Sequence, residues 1–95
     1  MMDTKTKRKL KSLAMTLDTN YQIGKQGVTN NVLTLLDNAL TAHELIKVSV
    51  NKSVHDDIGT FILDLSSKLH AEVVEKKGYT IVLYRKNPKK DIIKL

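Results

Sequence analysis

The chain has 95 residues, 41% of them hydrophobic and 27% charged, with a net charge of +6, a balance that suits one folded domain with its own core and not a disordered segment. It contains no cysteine, which excludes disulfides and thiolate-held metal centres and fits a reducing compartment. No apolar run approaches the ~20 residues of a membrane-spanning helix, and the first residues lack the apolar segment of a secretory signal, so a cytoplasmic protein without a membrane partner is expected.

The first predicted element is a helix from about Asp3 or Thr4 to Leu17. Leu10, Leu13, Ala14 and Leu17 form one apolar stripe at helical spacing, and Lys5, Arg8, Lys9 and Lys11 fall outside it. The helix therefore buries one face and presents a basic one. Its basic side chains lack acidic partners at i+4, so charge pairing along the helix does not account for them. Asp18, Thr19 and Asn20 favour turns and end it.

Tyr21, Gln22 and Ile23 read as a short strand, followed by Gly24-Lys25-Gln26-Gly27 and a helix start. Two glycines allow a sharp turn and close approach of the backbone to another molecule. The following helix directs unpaired N–H groups and its positive dipole end toward the loop, which favours an anion, and Lys25 adds a positive charge. A plain strand-to-helix turn uses the same glycines. The lysine, the helix start and the basic composition favour a phosphodiester backbone, since RNA-binding KH modules clamp backbone nucleotides with a G-x-x-G loop.

The second helix is expected over about Asn30 to Ala42, with Thr29 as N-cap and Val28 and Leu33 spaced as a hydrophobic staple. Leu45 to Val50 reads as a strand with Ile46, Val48 and Val50 on one face and Lys47 and Ser49 on the other. A third helix follows, opened by a capping box at Ser53-Val54-His55-Asp56 and buried through Ile58, Ile62, Leu65 and Leu69. Glu72 to Lys76 and Tyr79 to Arg85 are two further strands around a tight turn at Lys77-Gly78. Residues from about 86 to 95 are expected to be a basic flexible tail, whose last apolar residues either dock on the sheet or fray. The fold class predicted is α/β: a two-layer-type sandwich of a four-stranded mixed sheet with three helices, in the order α-β-α-β-α-β-β, as a single domain over residues 1–95.

Charge is segregated along the chain. Residues 1–11 and 76–95 together hold twelve basic side chains and two acidic ones, whereas residues 12–75 hold four basic and eight acidic. A fold that gathers both ends near the glycine loop has the electrostatic footprint of a nucleic-acid-binding protein. No metal site or catalytic centre is expected. His43, His55 and His70 lack ligand spacing, and neither a nucleophile elbow nor a phosphate-binding Walker loop occurs. No base-stacking sheet is expected either, because Phe61 lies in a helix and Tyr79 and Tyr84 are partly buried by their strand.

Three blocks of the chain resemble a known family: Gln22-Ile23-Gly24-Lys25-Gln26-Gly27-Val28-Thr29, Glu44-Leu45-Ile46-Lys47-Val48, and Gly78 with Ile81-Val82-Leu83-Tyr84-Arg85. With Arg8-Lys9-Leu10-Lys11-Ser12-Leu13-Ala14 they look like the bacterial YhbY proteins, single-domain members of the CRM (chloroplast RNA splicing and ribosome maturation) class. The family pattern differs in often having a proline where Asp18-Thr19-Asn20 stands, and an arginine where His43 stands. The resemblance implies a fold similar to the C-terminal domain of translation initiation factor 3. It also implies RNA binding and association with precursors of the large ribosomal subunit. Gly24, Lys25, Gln26 and Gly27 would then contact RNA, with Arg8, Lys11 and Arg85 extending the surface. The expected protein is a monomer without cofactor or enzymatic activity. The alternative is a module that docks on an acidic ribosomal or translation partner without touching RNA.

Overall fold

Helix α1 spans Thr4–Ala14 and starts where the Asp3 carboxylate accepts the Thr6 N–H at 2.7 Å. That N–H, with the Thr6 side chain, holds the Asp3 carboxyl below its ordinary value. The helix ends at Ala14, short of the expected Leu17, because its last turn tightens. The N–H of Thr16 bonds the Leu13 carbonyl and that of Leu17 bonds Ala14, each three residues back. The Thr16 hydroxyl also donates to Leu13 O, a local bond that competes with helix continuation.

This computed structural model describes residues 3–19, 21–24, 27–52, 58–90 and 92–93, so the expected capping box at Ser53–Asp56 lies outside the described residues. After α1 come β1 (Tyr21–Ile23), α2 (Asn30–His43), β2 (Leu45–Val50), α3 (Ile58–Leu69), β3 (Glu72–Lys77) and β4 (Thr80–Tyr84). The sheet has the order β1-β2-β4-β3. Strands β1 and β2 are parallel, with α2 supplying the crossover that a parallel pair requires, while β2–β4 and β3–β4 are antiparallel. This is the expected mixed α/β sheet with three helices. The β3–β4 turn passes through Gly78 at φ 61°, a left-handed conformation that glycine adopts without steric cost.

The helices divide between the two faces of the sheet, which refines the two-layer expectation into α1, sheet, and α2 with α3. On one face Ile46, Val48, Val50, Ile81 and Leu83 pack with Leu36 and Leu40 of α2 and Phe61, Ile62 and Leu65 of α3. On the other, Leu10 and Ala14 of α1 pack on Leu45, Val74 and Val82. Period-2 alternation produces this division, since successive side chains of a strand point to opposite faces of the sheet. Leu13, placed on the apolar stripe by spacing, is 39% exposed. Leu10 and Ala14 cover the small second core together with Leu17, Tyr84 and Ile93, which pack against it.

Where β2 begins, Glu44 caps α2 at φ 65° and is fully buried. Its carboxylate accepts the N–H groups of Asn87 and Ile93, the latter at 2.6 Å, and its carbonyl accepts the N–H of Arg85. Asn87 Nδ2 also donates to Thr41 O at 2.9 Å. The segment expected to be a flexible tail is therefore strapped to the end of α2 at Asn87 and Ile93. At these two residues the backbone donors meet a buried acceptor.

Candidate nucleic-acid interface

The glycine loop leaves β1 at the same end of the sheet where β2 and the β3–β4 turn finish. Asn51 N–H bonds Ile23 O, and Val50 N–H bonds Tyr79 O, both at 2.8 Å. Within the loop, Gly27 N–H closes on Gly24 O at 2.9 Å, forming a tight turn. The two glycines serve different purposes. Gly27 sits at φ +74°, a conformation that strains any side chain, above the Phe61 ring of α3. Gly24 is exposed, and a Cβ there would meet open space. Lys25 and Gln26, also expected at the site, lie outside the described residues.

Thr29 caps α2 as expected: its Oγ1 accepts the Val32 N–H at 3.2 Å and its carbonyl accepts that of Leu33 at 2.9 Å. The Asn30 and Asn31 N–H groups have no carbonyl one turn back in the helix. No acid occupies the first turn of α2 to compete for an anion. Val28 and Leu33, the expected staple pair, pack against the same core and hold the turn to the body.

Arg8 and Lys11 are exposed on α1, on the opposite face of the sheet from α2 and α3. With Met15 they follow at i, i+3 and i+7, one ridge along the helix. That ridge ends at an open pocket of about 260 Å³, lined among others by Met15, Lys47, Glu75, Lys77 and Thr80. Lys47 Nζ reaches the last carbonyl of α1, Ala14 O, at 3.5 Å. Sequence reasoning did not single out Lys47 and Lys77. Alternation along β2 had already put Lys47 on the polar face, but the extent of that face covered by α1 depends on how α1 sits across the strands.

Arg85, expected to extend the RNA-binding surface, lies at the other end of the sheet from the glycine loop and is engaged within the protein. Its guanidinium donates to Asp37 Oδ1 at 2.7 Å, Leu69 O at 2.8 Å, and Asp37 O and Thr41 Oγ1 at 2.9 Å. These bonds tie the end of β4 to α2 and to the last turn of α3. The residue follows Tyr84, which pairs with Leu45, while the loop lies beyond Val50, about 17 Å away along β2. Both its donors and its position make Arg85 an internal brace. The basic tail is likewise held at the Glu44 end, so the two chain ends do not gather at the glycine loop.

Among the described residues no three His, Cys, Asp or Glu side chains are grouped to hold a metal ion, and no helix is long and apolar enough to cross a membrane.

Residues 2–85 match the family model of the CRS1 / YhbY (CRM) domain. The chain is 37% identical over 95 residues to the "Probable RNA-binding protein YqeI" of Bacillus subtilis, covering 100% of this chain and 99% of that one. It is 37% identical over 84 residues to an "RNA-binding protein" of Haemophilus influenzae, covering 88% of this chain and 85% of the other. The solution structure of the hypothetical protein SAV1595 from Staphylococcus aureus superposes with a TM-score of 0.76 at 40% identity, covering 90% of this chain and 88% of that one. With a closed glycine turn at a capped helix, a mixed sheet helical on both faces and a match over nearly its whole length, the chain belongs to the CRS1/YhbY (CRM) domain family.

Proposed function

We propose that this protein binds RNA through its glycine loop and assists assembly of the large ribosomal subunit in the cytoplasm. It acts as a monomer without cofactor or catalysis. The observation that carries this reading is the closed turn from Gly24 to Gly27 directly before the capped start of α2. A phosphate there meets backbone donors and the helix dipole without a side chain in between, and Lys25 and Gln26 extend the contact. Arg8 and Lys11 add charge along the RNA. Two relatives bear RNA-binding names, which supports the same ligand. Phosphate spacing and RNA shape select the target in this reading, as they do for many structured RNAs.

The test is ultraviolet cross-linking in cells followed by sequencing of the attached RNA, with Gly24→Asp alongside. Gly24 is the better position for the variant because its side-chain space is open and its φ is not left-handed. Reads on large-subunit ribosomal RNA, lost in the variant, are expected. Reads at background, or an association that survives ribonuclease, would instead favour docking on an acidic protein. Replacing Lys25 by alanine should flatten the salt dependence of binding by about one unit of slope.

A further inference from the structure

On the α1 side of the sheet, one half is apolar and covered, and the other half is polar and uncovered. The covered half is Leu45, Val74 and Val82 beneath Leu10 and Ala14. Beyond it, strand register aligns Gln22 with Ser49, Ser49 with Thr80 and Thr80 with Lys77, a single rung crossing all four strands. Their immediate neighbours Ile23, Val48, Val50 and Ile81 enter the core on the other side, so this rung faces the α1 side. Gln22 and Lys77 are exposed, and Ser49 and Thr80 are half-buried. One rung inward lie Lys47 and Glu75, on either side of Val82.

We infer that this uncovered half-face is a second RNA subsite that takes the ribose edge of a strand passing from the glycine loop to the Arg8–Lys11 ridge. The inference rests on the RNA-binding reading and adds the part of RNA that this face recognises. Its groups are an amide, two hydroxyls, a carboxylate and two ammonium ions, a mixture of donors and acceptors. A phosphate offers only acceptors, and Glu75 would repel it. A ribose 2′-hydroxyl both donates and accepts, which matches the mixture, while Lys47 and Lys77 meet the flanking phosphates. The pocket of about 260 Å³ lies just below the ~300–1,000 Å³ of sites for drug-sized ligands, which suits one sugar. Position supports the same route. The rung ends at β1 one residue before Ile23, whose carbonyl precedes the loop, and the pocket wall includes Met15 at the foot of the basic ridge. No described aromatic ring lies on the rung, so discrimination between RNA and DNA falls to the 2′-hydroxyl and not to stacking.

The test measures anisotropy of the full chain with a labelled random-sequence single-stranded RNA, the matching DNA and the matching 2′-O-methyl RNA. Thr80→Val with Ser49→Ala keeps shape and strand propensity and removes both hydroxyls. The wild type is expected to prefer RNA to DNA and to 2′-O-methyl RNA. The double variant should lose affinity for RNA about tenfold while holding its affinity for DNA, the sum of two lost hydrogen bonds. An unchanged RNA-to-DNA ratio in the double variant, or no such preference in the wild type, overturns the subsite. If Gly24→Asp still weakens RNA binding in that case, the RNA-binding function stands without it. A wild type that binds none of the three probes also overturns the subsite, and the RNA-binding function is then decided by the cross-linking test alone.

Discussion

The two ends of the sheet carry similar residues and use them in opposite ways. At the Leu45–Tyr84 end, Arg85, Glu44 and Asn87 meet one another's elements through hydrogen bonds that close on the protein itself. At the Val50–Thr80 end, the glycine turn, the first N–H groups of α2 and the side chains of Lys52 and Lys77 lie open. A basic residue contributes to binding only if its donors remain available, so position and partners decide what charge alone does not. Buried polar groups require partners, and the closed end supplies them. The open end holds its turn with the Gly27–Gly24 backbone bond and the Thr29 cap, and leaves Lys52 and Lys77 exposed.

Perturbing the closed end should produce the largest effects, on stability and not on RNA. Glu44→Ala leaves the Asn87 and Ile93 N–H groups without their acceptor, and a loss of about 3 kcal/mol in urea unfolding is expected for two bonds to a charged group. Arg85→Ala should cost about 2 kcal/mol, and Arg85→Lys should recover only part of it, because an ammonium lacks the planar fork that reaches several acceptors at once. RNA affinity of the folded Arg85→Ala protein should equal that of the wild type. A drop in affinity at unchanged stability would place Arg85 at the interface.

The open end should respond in reverse. Gly27→Ala forces a side chain into the left-handed region and should cost about 1 kcal/mol of stability, whereas Gly24→Ala should stay within about 0.5 kcal/mol. Equal costs at both positions, read by thermal unfolding, would mean the turn is rebuilt when the side chain is added. The smallest effects belong to α1. Arg8→Ala and Lys11→Ala should each change stability by less than about 0.5 kcal/mol and lower the salt slope of RNA binding by about one. Unchanged slopes in both would confine binding to the loop.

Much of this arrangement was readable beforehand where it depends on neighbours in the chain. Thr29 caps α2 because its side chain reaches an N–H three residues on, and the pattern over Leu45–Val50 sorts faces because strands alternate. The order of elements follows from such spacings, and so does the location of the glycine turn. The missed features involve partners far apart in sequence. Arg85 finds Asp37 across 48 residues, and Ile93 finds Glu44 across 49. Within the sequence, Arg85 was one more basic residue after a strand, and Glu44 one acid before another.

The amino-acid sequence by itself thus determined the helices, the strands, their two-faced character and the turn that opens α2, because periodicity, capping and left-handed φ act within a few residues. Only the tertiary structure decided the strand order, the half of the α1 face that stays uncovered and which charges are engaged internally. Those outcomes depend on register and on the docking of distant elements, where the competition for buried area and for hydrogen-bond partners is settled by the whole fold at once.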